Sequence, residues 1–226
     1  MVASWERADA VYVIENGYVT GCKQYFTTMA VPSTNNGIPV VGIADGACMN
    51  INTEVVEKIV LPESVTAIGN NAFKDCTNVK IEVNGALTLI GEGAFENCNG
   101  LTEVKFGNEL NNIPFNAFKG CSSLKALILP ASLTLISENA FEDCTSVAYM
   151  IIHSSTATIE NNAFAGCNAL SAVYYHGTEE QFNSIDLDPS NSPLTGATRL
   201  YYSKDKPTDD GNFWCYDDSG KIKLWK

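Results

Sequence analysis

The sequence predicts a β-solenoid, a stack of short repeats that is mainly β with little α-helix. The pattern Ala-Phe-x-x-Cys occurs five times, and its phenylalanines are spaced by 22, 23, 23 and 23 residues. A short run of alternating apolar and polar residues follows each cysteine, and this alternation is typical of a half-buried strand. A repeat of this length cannot bury a core alone, so its copies must stack with their strands side by side. The phenylalanines are Phe73, Phe95, Phe118, Phe141 and Phe164.

An apolar residue four places before each alanine completes the repeat. A sixth, degenerate copy runs from Ile43 to Cys48, where a cysteine stands in the place of the phenylalanine. Terminal repeats are often atypical, so we expect the array to begin before residue 43. We expect the phenylalanines and the isoleucines to form the core and to have no role beyond folding. The isoleucines are Ile68, Ile90, Ile113, Ile136 and Ile159.

The segment before the repeats predicts a hairpin. Two short apolar runs, Ala10 to Ile14 and Tyr18 to Thr20, flank Asn16-Gly17, and Asn-Gly is the preferred turn of a tight hairpin. An open solenoid end would expose apolar core and unpaired strand edge. We therefore expect this hairpin to cap the array. The tryptophans lie outside the repeats and are expected to pack at its ends: Trp5, Trp214 and Trp225.

Five of the eight cysteines share one repeat position: Cys76, Cys98, Cys121, Cys144 and Cys167. Strands lie ~4.8 Å apart, which slightly exceeds the usual ~3.8 Å between the Cβ atoms of a disulfide. We therefore expect a ladder of buried free thiols. Zinc is disfavoured because the chain has no Cys-x-x-Cys pair. Cys22, Cys48 and Cys215 lie outside the ladder, and a disulfide between two of them remains open.

Composition excludes several classes of function. Hydrophobic residues make up 45% of the chain and charged residues 18%, so the chain should fold. A net charge of −12 opposes binding to nucleic acid or to an anionic membrane. The sequence has only two histidines and none of the common nucleophile, phosphate-loop or zinc-protease motifs. We expect no catalytic residue, no cofactor and no metal, and we take carboxylate pairs such as Glu179-Glu180 as solvated surface.

The repeat frame predicts which side chains face outward from the sheet, because side chains alternate along a strand. The first strands present mainly charged residues, among them Lys58, Lys80, Glu82, Glu103 and Lys105. The later strands present apolar and aromatic residues, and such clusters mark interaction sites. The alternative is ordinary cross-strand stacking, with the closing module folded over it. The candidate protein-binding residues are Ile128, Tyr149, Ile151, His153, Tyr174, His176, Arg199 and Tyr201.

Two of these candidates are the only histidines of the sequence. His153 and His176 both follow their ladder cysteine by nine residues, so they should be neighbours on adjacent strands. Two ligands make an incomplete metal site, and no third ligand is evident in the sequence. We expect a surface ladder of histidines.

The repeat Leu-x-x-Leu-x-Leu-Pro-x-x-Val-x-x-Ile-Gly-x-x-Ala-Phe-x-x-Cys resembles the BspA-like branch of leucine-rich repeats. The resemblance implies a right-handed superhelix with a parallel sheet on the concave face and short strands, turns or 3-10 segments on the convex face. It implies the following divisions: a cap at 1–37, repeats at 38–177, a closing module with a final strand at 178–205, and a tail at 206–226.

The resemblance also implies a role in adhesion. Members of this family are typically cell-surface or secreted proteins, so we expect a non-catalytic module that binds a protein partner, such as a host extracellular-matrix or surface protein. The N-terminus shows no signal peptide, and kinship favours export with the signal removed over an intracellular chain. We expect a monomer with no direct membrane insertion. The alternatives are a structural spacer or self-associating scaffold and, less favoured, a carbohydrate-binding protein.

Overall fold

The computed structural model describes residues 11–23, 26–51, 54–208 and 211–225. Trp5 and the expected strand start at Ala10 lie outside them. Two short helices are α1 (Glu179–Asn183) and α2 (Ser192–Gly196). The strands are β1 (Tyr12–Glu15), β2 (Tyr18–Cys22), β3 (Thr28–Ala30), β4 (Thr34–Asn35), β5 (Ile38–Pro39), β6 (Gly42–Ile43), β7 (Lys58–Leu61), β8 (Ala67–Ile68), β9 (Lys80–Val83), β10 (Ala86–Leu87), β11 (Leu89–Ile90), β12 (Lys105–Phe106), β13 (Asn112–Ile113), β14 (Ala126–Ile128), β15 (Leu135–Ile136), β16 (Tyr149–His153), β17 (Thr158–Ile159), β18 (Ala172–His176), β19 (Asp186–Leu187), β20 (Thr198–Tyr202), β21 (Phe213–Tyr216) and β22 (Ile222–Leu224).

These strands form a β-solenoid of about eight turns, as predicted. Each turn contributes one strand to the concave face, where the sheets run β3-β7-β9 and β14-β16-β18-β20-β21-β22. The repeat also contributes a two-residue strand to the convex face, where the sheets run β1-β2-β6-β8-β11 and β13-β15-β17-β19 and the longer β1 and β2 come from the N-terminal hairpin. Consecutive turns pair in parallel and almost in register. The two faces enclose one continuous apolar core.

The repeated phenylalanines form the spine of this core. All five are fully buried, and successive rings stack with centroids 5.3–5.4 Å apart. A third side of the solenoid is a ladder of turns in which the N–H of each of the first four phenylalanines donates to the alanine C=O of the next turn, as from Phe95 to Ala117 at 2.8 Å. The repeated isoleucines are buried on the convex strands. The predicted core is therefore confirmed.

The ladder cysteines are buried free thiols, as expected. The thiols of Cys98, Cys121, Cys144 and Cys167 each donate to the C=O of a phenylalanine in an earlier turn, as from Cys121 to Phe95 at 3.1 Å. Burial raises the pKa of Cys167 to about 12. Burial also raises the pKa of the other three thiols that donate to phenylalanine, so the role of these four groups is packing and hydrogen bonding inside the turn.

The N-terminal end is closed by the predicted hairpin. β1 and β2 pair antiparallel around Asn16 and Gly17, which both adopt the positive φ that this turn requires. β2 then pairs in parallel with β6, the convex strand of the degenerate repeat. A disulfide joins Cys22 to Cys48, with Cα atoms 5.1 Å apart, so the question that the sequence left open is answered here.

The C-terminal end of the turn ladder is closed by a side chain. Asn191, fully buried before α2, accepts from the Phe164 N–H at 2.8 Å through its amide oxygen. Its amide nitrogen donates to the C=O of Glu160 and of Asp188. The side chain thus supplies Phe164 with the acceptor that the backbone carbonyl of a further turn would provide.

Both faces of the solenoid are interrupted at the same turn. On the convex face, Gly91 N–H donates to Ile68 C=O and Ser137 N–H donates to Ile113 C=O. Pro114 occupies the equivalent place and has no N–H, so the bond to the preceding turn is lost between β11 and β13. On the concave face, β12 pairs with β10 instead of joining β9 to β14.

Candidate functional site

The N-terminal half of the concave face is charged and internally neutralised. Glu82 on β9 lies 2.8 Å from the ammonium of Lys58 and 2.8 Å from that of Lys80. Hydrogen bonds from these two lysines lower the pKa of the Glu82 carboxyl. Such exposed pairs contribute little free energy. Their effect is to make this half of the face mainly polar.

The middle of the concave face holds a depression that is lined by apolar and basic groups. Ile128 on β14 is 48% exposed and lies beside the half-buried Tyr149 of β16. The lysines at the margin belong to the two turns on either side of the interruption. Lining residues include Glu103, Val104, Lys105, Phe106, Lys125, Ala126, Ile128 and Tyr149.

The later strands bring the predicted aromatic residues together. β16 and β18 pair so that Ile151 lies opposite Tyr174 and His153 opposite His176. The rings of Tyr149 and Tyr174 meet edge to face at 5.9 Å. The repeat frame therefore predicted the neighbours correctly on these two strands.

The prediction for Arg199 and Tyr201 was wrong. Tyr174 lies opposite Leu200, and Tyr175 lies opposite Tyr201. A shift of one residue moves a whole strand's side chains to the other face, so Arg199 and Tyr201 leave the concave face. The guanidinium of Arg199 lies 5.2 Å from the ring centroid of Phe182, in α1.

The reason for this shift is the connection before β20. The strands of the array follow one another at the repeat period, but β18 and β20 are separated by the closing module, which contains both helices. Aligning Tyr201-Tyr202 with Tyr174-Tyr175 therefore predicted the wrong register. Leu200 and Tyr202 occupy the concave positions instead.

Ile151 was also predicted to be exposed, and it is only 3% exposed. It belongs to a second apolar cluster with Leu200 and Trp214, which lies on the concave side of the sheet and is separate from the main core. The fully buried Trp214 comes from β21, and its indole N–H donates to the C=O of Tyr175 at 3.2 Å. The tail thus extends the sheet and covers part of the predicted surface.

The two histidines form the start of an aromatic file. Their rings stack with centroids 5.0 Å apart, and His176 stacks on Tyr202 at 4.0 Å. Burial, followed by the neighbouring His176, lowers the pKa of His153. Within the described residues, no group of three or more histidine, cysteine or carboxylate side chains is placed to hold a metal ion.

Sequence reasoning missed Lys125, Leu200, Tyr202 and Trp214. Lys125 directly precedes β14, its side chain is exposed, and the frame made no prediction for it. The last three lie beyond the periodic array, so no repeat position could be transferred to them. The short run of aromatic and apolar residues at Phe213-Trp-Cys-Tyr216 was the available signal for a further strand.

The surface that remains open is here named the concave patch and consists of Ile128, Tyr149, Tyr174, His153 and His176. Its members are half-buried except for Ile128, which is exposed. Each lies on β14, β16 or β18, where pairing fixes the backbone. The patch presents a rigid apolar and aromatic surface with basic groups at one end.

The fold, with its capped ends and its concave sheet, defines a leucine-rich-repeat solenoid. The chain belongs to the family described as BspA type leucine rich repeat region: six copies of that repeat match residues 43–171. The first of them begins at Ile43, so the degenerate copy recognised in the sequence is part of the array. No curated protein matches the chain.

Two solved bacterial structures resemble this chain. A leucine rich repeat protein from T. pallidum is 28% identical, with a TM-score of 0.60, and the match covers 69% of this chain and 72% of that one. A leucine rich cell surface protein from Faecalibacterium prausnitzii is 26% identical, with a TM-score of 0.51. That match covers 76% of this chain and 38% of the other. None of the helices in the described part of this chain is long and apolar enough to span a bilayer.

Proposed function

We propose that this chain is a non-catalytic adhesion module that binds a protein partner through the concave patch. The observation that carries the proposal is the exposure of Ile128 beside Tyr149 on a rigid sheet. Aromatic side chains supply contact area at low entropic cost, and apolar clusters with a polar margin are typical of interaction sites. The charged half of the face supplies that margin.

A cell-surface or secreted location supports the same proposal. One structural relative is named a cell surface protein. The disulfide between Cys22 and Cys48 is of the kind that persists in oxidising compartments. Adhesion to a host extracellular-matrix or surface protein is the function that unites this location with an open concave face.

The experiment is a capture of purified matrix and serum proteins on the immobilised chain. The test variant is Ile128→Asn with Tyr149→Ser, which removes the apolar surface without adding charge. The matched control is Leu89→Asn with Phe115→Ser, because these side chains are 61% and 41% exposed away from the concave patch. Circular dichroism establishes that both variants fold.

The expected result is a partner that binds the wild type and the control but not the test variant. Binding that survives in the folded test variant would remove the concave patch as the site. Absence of any captured protein in all arms would contradict adhesion and favour the spacer role.

Self-association is the second candidate, because β22 is the last strand of the six-stranded sheet and no strand of the described residues pairs with its outer edge. Unpaired edges add strands from other chains. Lys221 and Lys223 lie on or next to this edge, and charged edge residues oppose such pairing. We therefore expect a monomer, and sedimentation at increasing concentration tests it: a mass that rises with concentration would favour the scaffold.

A further inference from the structure

The interruption of the concave sheet creates an open strand edge inside the array. β14 is the first strand of its sheet, and among residues 11–23, 26–51, 54–208 and 211–225 it has a strand partner on one side only. The preceding turn, which should pair with it, uses Lys105 and Phe106 to pair with β10 instead. A solenoid normally exposes strand edges only at its ends. This one has an edge in the middle of its concave face.

The backbone groups at this edge can be identified from the ladder on the other side. Ala148 N–H donates to Lys125 C=O, and Leu129 N–H donates to Ile151 C=O. In a parallel pair, the residues of one strand alternate in the direction of their backbone groups. The N–H and C=O of Ala126 and Ile128 therefore point to the open edge, where the described part of the chain places no pairing strand.

The depression at this edge combines an apolar floor with two cations. Val104, Phe106 and Ile128 supply apolar surface. Lys105 and Lys125 are both exposed, and in the described part of the chain no carboxylate lies within ion-pair distance of either ammonium. These lysines stand out in a chain whose net charge is −12.

We propose that this depression binds an extended peptide segment of the partner, which pairs with the edge of β14 and carries a carboxylate next to an apolar side chain. Main-chain hydrogen bonds to Ala126 and Ile128 supply affinity, as in other cases of strand addition. The apolar side chain contacts Ile128 and Phe106, and the carboxylate lies between the two lysines. The inference rests on the proposed function and specifies its ligand.

Charge argues for a peptide of this kind over a polyanion. Glu103 lines the same depression, so a run of phosphates or sulfates would meet a carboxylate within a few ångströms. A single carboxylate brings one negative charge into the depression, whereas a polyanion brings several. The apolar floor has no role with a polyanion and a direct one with a peptide side chain.

The test is a selection of short random peptides displayed on phage against the immobilised full chain. We expect enriched peptides to share an acidic residue beside an apolar one. Lys105→Glu combined with Lys125→Glu should weaken their binding by more than about tenfold, which is about 1.4 kcal/mol. The control Lys204→Glu makes the same change of charge at an exposed residue after the last repeat strand and should leave binding unchanged.

A backbone variant tests the pairing itself. Ala126→Pro removes an N–H that points to the open edge, and proline is tolerated at such edges. It should weaken peptide binding, whereas Ala126→Ser should not. Enriched peptides without acidic residues, binding that ignores the lysine variants, or no enrichment would each overturn the inference.

The outcomes separate this inference from the proposed function. A protein partner lost with Ile128→Asn and Tyr149→Ser but retained with both lysine variants leaves the concave patch as the site and removes the acidic peptide. A partner retained in all of these variants removes both.

Discussion

The phenylalanine spine makes a quantitative prediction about stability. Phe118 is fully buried, stacks between Phe95 and Phe141 at 5.3 Å on each side, and meets Phe106 edge to face at 5.8 Å. Removing a buried phenylalanine costs about 3–5 kcal/mol, and each aromatic pair adds roughly 0.5–1.5 kcal/mol beyond area. Because Phe118 has three ring partners, we expect Phe118→Ala to lower the free energy of unfolding by about 5 kcal/mol.

The comparison is with Phe73→Ala at the beginning of the spine. Phe73 is equally buried, but its ring contact in the described part of the chain is with Phe95 alone. We expect a loss of about 3–4 kcal/mol there, since one aromatic pair is removed and not three. Urea denaturation followed by circular dichroism measures both, with Phe115→Ala as an exposed control. Equal losses for Phe118 and Phe73 would refute the argument that ring stacking along the spine contributes to stability.

Four other predictions follow from local features. Reducing the Cys22–Cys48 disulfide, which has a sequence separation of 26, should lower the free energy of unfolding by about 3.5 kcal/mol through loop entropy. A reductant that leaves the melting temperature unchanged would contradict this, and so would one that lowers it equally in the variant with both cysteines replaced by serine. The folded-state pKa of His153 lies below its ordinary 6.5, so the unfolded chain binds a proton at this histidine more readily and stability should fall as pH drops below about 6.5. The difference between thermal melts at about pH 7.5 and about pH 5.5 should therefore be smaller in His153→Gln than in the wild type. An unchanged difference would exclude His153 as the cause. Trp214→Ala should free the tail, seen as rapid tryptic cleavage after Lys204 while the repeats resist. Uniform digestion would show that the tail and the array unfold together. Amide exchange should be faster at Ala126 and Ile128 than at Leu127, and equal protection would mean that the edge of β14 is not open.

Everything that depends on the repeat period could be predicted from the sequence. The period places a phenylalanine and a cysteine, such as Phe118 and Cys121, at equivalent positions in the five Ala-Phe-x-x-Cys repeats. Stacking of the repeats then produces the phenylalanine spine and the thiol ladder. It also places His153 beside His176, because both occupy the same position in adjacent repeats. One strong periodic constraint therefore predicts contacts as well as elements.

The errors lie where the period ends or is broken. The register of β20 depends on the length and packing of the closing module, and neither is encoded by the repeat. The burial of Ile151 depends on Trp214, which is 63 residues away in sequence. Pro114 was a visible signal for the interrupted ladder, because the equivalent positions are Gly91, Ser137 and Glu160.

Hydrogen-exchange footprinting of the chain with its captured protein partner shows whether the concave patch is the binding surface. We expect binding to slow exchange on β14, β16 and β18 and to leave the convex strand β11 unchanged. Protection confined to the convex strands, to the turn ladder or to the tail would contradict it, and would move the binding site away from Ile128 and Tyr149.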